Sequence, residues 1–208
     1  MAELKMTKNA LRAEQNRLGQ LFKYLPTLQL KKALLQAEVA ASRLEGAALE
    51  EQVDLEKRQV EEYASLFTQN LSVDISAFAQ IKKLDKRYEN IAGAEVPFFE
   101  SVTFGPITYD LFETPAWLEG AIMGLRSVSE AKAKLKIVQE KLHILEKELR
   151  EVSIRVNLFE KVLIPRAEQN IKKIKVFLGD QQLAAVSQAK VAKMKILERK
   201  EGEESHAI

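Results

Sequence analysis

Residues 135–163 read LKIVQEKLHILEKELREVSIRVNLFEKVL, and this stretch decides the fold. Apolar side chains recur through it at alternating steps of three and four residues, at Leu135, Val138, Leu142, Leu145, Leu149, Val152, Val156, Phe159 and Leu163. This spacing, kept over four heptads, is typical of the a and d positions of a coiled coil. The amphipathic pattern extends from about residue 116 to about residue 200, and it predicts one long second helix.

A helix of that span needs a partner helix. At 1.5 Å per residue it would be about 130 Å long, several times the width of a compact domain of this mass. The first part of the chain, residues 3–71, supplies the partner because its apolar residues also follow a helical period. They are Leu4, Leu11, Leu18 and Leu25, the adjoining row Leu21, Leu28 and Leu35, and then Leu49, Val53, Val60, Tyr63 and Phe67.

Two prolines mark departures from regular helix. Pro26 lies inside the first pattern, and we expect it to kink the helix near Tyr24 without ending it, because the leucine rows continue in phase. In the second helix the apolar steps become four, four and four after Phe159, at Leu163, Ala167 and Ile171, and Pro165 lies among them. Such a stutter locally unwinds the supercoil, so this part of the helix should be curved or underwound.

The middle of the chain, residues 72–115, differs in composition. Ser76–Asn90 is predicted to form a short helix, with Phe78, Ile81, Leu84 and Tyr88 on one side. The β-branched and aromatic residues of Pro97–Phe104 predict a strand, Gly105-Pro106 a turn, and Ile107–Leu111 a returning strand.

The predicted fold is therefore all-α, with a small insertion between two long helices. The chain should form one elongated unit, an antiparallel two-helix coiled coil, because the second helix must return along the first. The first helix is expected over 1–71, the short helix and β-hairpin over 72–115, the second helix over 116–200, and a frayed tail over 201–208.

Composition and motifs exclude several functions. The 208 residues carry a net charge of only +2, which argues against a nucleic-acid-binding protein. Zero cysteines rule out disulfides and thiolate metal sites, and the two histidines, His143 and His206, supply no metal-binding spacing. The Gly-rich phosphate loops of nucleotide-binding proteins are absent, so neither a cofactor nor a catalytic residue is expected. No apolar run or signal-peptide pattern predicts membrane insertion.

Several short motifs resemble those of one known family. Residues 151–160 (EVSIRVNLFE), followed by 163–165 (LIP) and 170–174 (NIKKI), are similar to "RRVNALE…IP…TIKYI" in the D subunits of V-type and archaeal-type rotary ATPases. Residues 90–97 (NIAGAEVP) resemble the family's mid-chain "N-I-x-G-V-x-V-P". Thr7-Lys8 resembles the N-terminal pattern of the family, and the basic stretch 190–195 resembles the family's basic C-terminal end. Residues 25–35 (LPTLQLKKALL) depart from the family's Gly-x-x-Leu-Leu-Lys-x-Lys-Arg, as in a bacterial variant.

The resemblance implies a central-stalk rotor protein that couples ion-driven rotation to ATP synthesis or hydrolysis. Such a protein has no catalytic site of its own and lies on the cytoplasmic face of the membrane. The resemblance implies as partners the A and B subunits of the catalytic head, the small F subunit of the stalk, and an adaptor on the membrane rotor. The leucine stripes alone are equally consistent with a non-motor structural scaffold or tether.

Two groups of residues are candidate contacts. Antiparallel pairing would bring the basic residues of both chain ends to one tip, where they form either a solvated face or an interface. The resemblance favours an interface with the head, at Lys5, Lys8, Arg12, Lys190, Lys193 and Lys195.

The aromatic residues of the insertion form either a small satellite core or a partner surface, because alternation would place Phe98 and Phe104 on one face and Phe99 on the other. The resemblance implies that the small F subunit contacts Phe98, Phe99, Phe104 and Tyr109.

Overall fold

The computed structural model describes residues 5–62, 75–106 and 115–205. Their elements follow in the order α1 (Lys8–Glu61), α2 (Ile75–Phe78), β1 (Ile81–Ile91), β2 (Ala94–Phe104), α3 (Trp117–Leu158), a π-helical turn (Phe159–Leu163) and α4 (Ile164–Ser205). The all-α fold with a small mid-chain hairpin is confirmed. Within these residues, every helix falls short of the length or apolarity that a membrane span requires.

The chain divides into two compact units. Residues Met1–Gln29 and Ile154–Ile208 form one, called here the terminal unit, and Leu30–Ser153 form the other, called the hairpin unit. Helix α1 runs through Pro26 without an interruption of its helical assignment, so the prediction that this proline does not end the helix is confirmed.

In the hairpin unit, α1 and α3 pack antiparallel. As residue numbers rise along α1 they fall along α3: Arg43 Nη2 lies 2.6 Å from Glu146 Oε1, and Glu45 Oε2 lies 3.3 Å from Lys141 Nζ. The seam between the helices buries apolar side chains from both, at Leu35, Val39, Val53, Leu118, Ile122, Ile137, Val138, Leu145 and Val152. Removing this apolar surface from water is the main force that holds the pair together.

A polar group without a hydrogen-bond partner among the described residues interrupts that seam. Ser42 is fully buried, and its Oγ has no hydrogen-bond partner among the residues that the structure describes. Ser42→Ala should therefore raise the free energy of unfolding by about 1 kcal/mol, which for a chain of this length corresponds to about 2–4 °C in Tm. Thermal unfolding followed by circular dichroism would measure it, with the exposed Ser187→Ala as the matched control. An equal shift in both variants would instead indicate a general gain in helix propensity.

The hairpin differs from the prediction in its position. Residues 81–91, expected within a helix over Ser76–Asn90, form β1, and β1 pairs antiparallel with β2 from Ile91↔Ala94 outward. The turn is at Ala92-Gly93, where both residues have positive φ (51° and 85°), as in a two-residue type I′ turn. Gly93 N–H donates to Asn90 Oδ1 at 2.8 Å and closes this turn.

The helix prediction for this stretch was wrong for a physical reason. Phe78, Ile81, Leu84 and Tyr88 are spaced as on a helix, but β2 requires a hydrogen-bonding partner for its backbone, and β1 supplies it. Gly105-Pro106, expected as the turn, directly follows the end of β2. The predicted strand Ile107–Leu111 lies outside the described residues.

The stutter in the second helix appears as a change of helix type in the terminal unit. Phe159–Leu163 is π-helical, and Ile164 N–H donates to Phe159 O, five residues back. Pro165 has no N–H and its ring would clash with the carbonyl of residue 161 in a regular α-helix, so a wider turn relieves both problems. Beyond the turn Ala167 and Ile171, the apolar positions of the altered steps, are buried, and so is Ile174.

Candidate interaction surfaces

The hairpin lies against α3 through three phenylalanine rings. Each ring has a cation of α3 over it: Arg126 Cζ is 5.1 Å from the centroid of Phe104, Lys134 Nζ 5.1 Å from that of Phe99, and Lys141 Nζ 4.4 Å from that of Phe98. The three cations follow one another at steps of eight and seven residues, which places them on one face of the helix. The rings are half-buried, so the hairpin packs on its own helices along this face.

This arrangement corrects the predicted alternation of the aromatic side chains. The register of the two strands shifts between Asp85 and Lys86, where Asp85 pairs with Ser101 and Lys86 with Phe99. The residue skipped on β2, Glu100, is a β-bulge, and a bulge interrupts the alternation of side chains between the faces of a strand. Phe98 and Phe99 pair with Arg87 and Lys86 without a shift between them, yet both rings have a cation of α3 over them, so the expectation that Phe99 faces away was wrong.

Arg126 holds the base of the hairpin. Its Nε donates to Phe78 O at 2.9 Å, just before β1, and its Nη2 donates to Gly105 O at 2.5 Å, just after β2. One guanidinium thus ties together the two ends of the hairpin while it also covers the ring of Phe104. The rigid fork of arginine suits this role because its donors point in fixed directions.

Ion pairs fix the rest of the hairpin. Lys86 Nζ lies 2.5 Å from Glu140 Oε2 of α3, and Lys141, only 6% exposed, reaches Glu45 of α1 as well as Phe98. On the outer side of β1, the hydrogen bond and the charge of Asp85 raise the pKa of Lys83 above its usual value.

A cavity of about 220 Å³ remains between the hairpin and the helices, lined by Glu45, Leu49, Pro97, Phe98, Phe99, Lys134, Ile137, Val138 and Lys141.

The basic residues of the two chain ends are only partly brought together. Thr7 caps α1, since its Oγ1 accepts a hydrogen bond from Ala10 N–H at 3.2 Å. Lys8 and Arg12, in the first turns of α1, line an open groove of about 580 Å³ against α4, while Lys5 precedes the helix and is exposed. The α4 side of this groove is formed by Lys175, Leu178, Gly179 and Gln182.

Three predicted contact residues lie elsewhere on α4. Lys190, Lys193 and Lys195 are exposed, as is every residue from 180 to 197, and none of the three lines the groove. Sequence reasoning missed Lys175 and Gln182. The sequence signal for them is that Lys175 lies three residues before, and Gln182 four residues after, the half-buried apolar residue Leu178.

The described residues contain no cluster of three or more His, Asp or Glu side chains that could hold a metal ion. His143 is exposed. Tyr109, the remaining predicted contact, lies outside the described residues.

Comparison with known proteins identifies the family. The sequence model of the family described as the D subunit of ATP synthase matches residues 10–194. The chain is 43% identical to the D subunit of the V-type ATP synthase of Chlamydia felis over 98% of both chains. It is 45% identical to that of Chlamydia trachomatis serovar L2, over 96% of this chain and 99% of the relative. This chain therefore belongs to the family of ATP synthase D subunits, the central-stalk subunits of V-type rotary ATP synthases.

Proposed function

We propose that the chain acts purely mechanically, as a rotor shaft that turns inside the catalytic head and has no catalytic site of its own. The single observation that carries this proposal is the family match over residues 10–194. Antiparallel helix packing supports it, because paired helices with buried seams resist twisting, and a shaft must transmit torque.

The proposed mechanism is differential contact. The chain would contact each catalytic A–B pair of the head differently at any instant, so that rotation changes which pair is open or closed. A ligand or partner shifts an equilibrium only by its difference in affinity for the two states, and the shaft would supply that difference. We place the contact with the head at the chain ends, at Lys5, Lys8, Arg12, Lys190, Lys193 and Lys195.

The other partners are proposed along the hairpin unit. The small F subunit of the stalk would bind at the hairpin, to the parts of Phe98, Phe99 and Phe104 that α3 leaves uncovered, with Tyr109 nearby in sequence. An adaptor subunit of the membrane rotor would bind near Trp117, at the start of α3. The chain would thus lie at the cytoplasmic face of the membrane as part of the ATPase complex.

Co-purification tests this proposal. The tagged chain, expressed in its own host, should bring down the A and B subunits of the head together with one small partner. Recovery of the chain only as a homodimer would support the alternative function, a scaffold or tether without a motor role. The leucine seams suit both functions, whereas the family match favours the rotor.

Removal of residues 190–208 should lower coupling between ATP synthesis and ion flow while the small partner stays bound. The deletion takes away the basic end of α4 and leaves the hairpin and its contacts intact. ATP synthesis by reconstituted vesicles, measured beside ATP hydrolysis by the same preparation, would report the coupling. Unchanged synthesis would show that this end of α4 does not contact the head.

A further inference from the structure

Helix α1 carries a second apolar stripe on its outer face, which the described residues leave uncovered. From residue 30 to residue 48 every residue on this face is an exposed alanine or leucine: Leu30, Ala33, Leu34, Ala37, Ala40, Ala41, Leu44, Ala47 and Ala48. At 3.6 residues per turn they occupy an arc of about 140°. This arc, called here the outer stripe, lies opposite the buried seam residues Leu35, Val39 and Val53.

The outer stripe exposes more apolar surface than a solvated helix face normally does. Leu30, Leu34 and Leu44 are 63%, 51% and 75% exposed. The stripe is about 27 Å long at 1.5 Å per residue. The outward face of a helix is usually polar, and contiguous exposed apolar patches mark interaction sites. The alanines would let a partner helix approach closely, while the leucines supply the surface that it buries.

The charges at the two ends of the outer stripe differ in sign. Lys31 and Lys32 lie beside its first residues, and Glu50 and Glu51 follow its last. None of the four forms an ion pair with another described residue. A second copy of the helix in parallel would bring like charges together, whereas an antiparallel copy would bring the lysines to the glutamates. The stripe is therefore complementary to itself in the antiparallel orientation.

The sizes of the side chains agree with this orientation. When a two-fold axis passes between residues 40 and 41, Leu44 of one copy is level with Ala37 of the other, and Leu34 is level with Ala47. Large side chains then face small ones along the contact, which is the condition for knobs-into-holes packing.

We propose that the free chain forms a two-fold symmetric, antiparallel homodimer through the outer stripe. The pairing does not depend on the proposed rotor function. A rotor has one shaft, so the homodimer is the form of the chain outside the ATPase complex. One short helix pair is a small interface, and we expect a dissociation constant on the order of 10 µM. Unfolding of the chain diluted well below this concentration reports a single copy.

Disulfide formation tests the antiparallel orientation, because the chain has no native cysteine. Ala41→Cys puts the two thiols of a dimer beside the axis, whereas Ala48→Cys puts them about 22 Å apart along the helices. A disulfide needs Cα atoms within about 7 Å. Under mild oxidation Ala41→Cys should therefore give a covalent dimer and Ala48→Cys should not, although both positions are exposed on the same stripe. Equal cross-linking at both positions, or none at Ala41→Cys, would overturn the proposal.

Sedimentation equilibrium of the purified full chain tests the stripe itself. The double variant Leu34→Gln, Leu44→Gln should raise the dissociation constant at least about tenfold, because each substitution occurs twice in a symmetric dimer. The matched control Leu183→Gln, Leu197→Gln changes two exposed leucines of α4 and should alter the constant by less than about twofold. A chain that stays monomeric at about 100 µM would overturn the proposal, and so would equal changes in the two variants.

Co-purification separates this inference from the proposed function. If the purified chain is monomeric and Leu34→Gln, Leu44→Gln instead loses the small partner from the complex, the outer stripe binds another subunit. The homodimer is then wrong while the rotor function stands. If the purified chain dimerises through the stripe but never recovers the head subunits, the rotor function is wrong while the homodimer stands.

Discussion

Leu145→Ala should lower the free energy of unfolding by about 2–5 kcal/mol, because it leaves a cavity in the seam between α1 and α3. Leu145 is fully buried and occupies one of the heptad positions that the sequence identifies. The neighbouring backbone belongs to two long helices and has little freedom to collapse into the space. Urea unfolding followed by far-UV circular dichroism would measure the loss as a lower midpoint at an unchanged slope.

The matched control is Leu44→Ala on α1, in the same unit. Leu44 is 75% exposed, so the same substitution removes little buried surface and should change the free energy of unfolding by less than about 0.5 kcal/mol. Comparable losses at the two positions would contradict the helix pairing described here, because they would mean that Leu44 is as buried as Leu145.

Arg126→Met should release the base of the hairpin. The substitution keeps much of the side-chain volume over Phe104 but removes the donors to Phe78 O and Gly105 O. A half-buried carbonyl that loses a charged donor costs about 1–3 kcal/mol, so two of them should cost about 2–6 kcal/mol in all. Hydrogen exchange should show it as faster exchange of the β1 and β2 amides, with little change in α4.

Arg150→Met is its control on the same helix, since Arg150 is exposed. Its effect on hairpin exchange should be small. Arg126→Lys should recover only part of the loss, because an ammonium group lacks the fixed fork that reaches both carbonyls. Full protection of the strands in Arg126→Met would show that the aromatic and ion-pair contacts along α3 hold the hairpin without the clamp.

The helix pairs could be predicted from the sequence because their signal is periodic and local. Val138, Leu145, Val152 and Val156 follow one another at steps of seven, seven and four residues, and all four are buried. The change of helix type at Phe159–Leu163 could be anticipated as well, since both the altered step and Pro165 are visible in the chain. Buried Ser42 and Lys141 could not, because polar residues at seam positions carry no apolar signal.

The hairpin could be predicted in kind but not in position. β1 reads IKKLDKRYENI, whose few apolar residues fit a helical spacing as well as a strand, and its partner lies beyond the turn. Pairing across a turn is a non-local property, and the β-bulge at Glu100 depends on the register of that pairing. The cations over Phe98, Phe99 and Phe104 come from α3, and local spacing contains no information about them.

The groove illustrates the same limit at the chain ends. Lys8 and Arg12 could be selected from their position near the start of the first helix. Lys175 could not, because its proximity to them depends on which residues of α1 and α4 lie side by side. The sequence predicts antiparallel pairing, but the exact alignment of two seams follows from packing of the individual side chains.

Single-molecule rotation tests the central claim, that this chain is the moving shaft, most directly. The chain has no native cysteine, so Gln52→Cys at an exposed position of α1 provides one thiol for a gold bead, while the catalytic head is fixed to glass. When ATP is added, the bead should turn in one direction, in steps that follow the catalytic pairs of the head. A stationary bead in a complex that hydrolyses ATP at its normal rate would contradict the account.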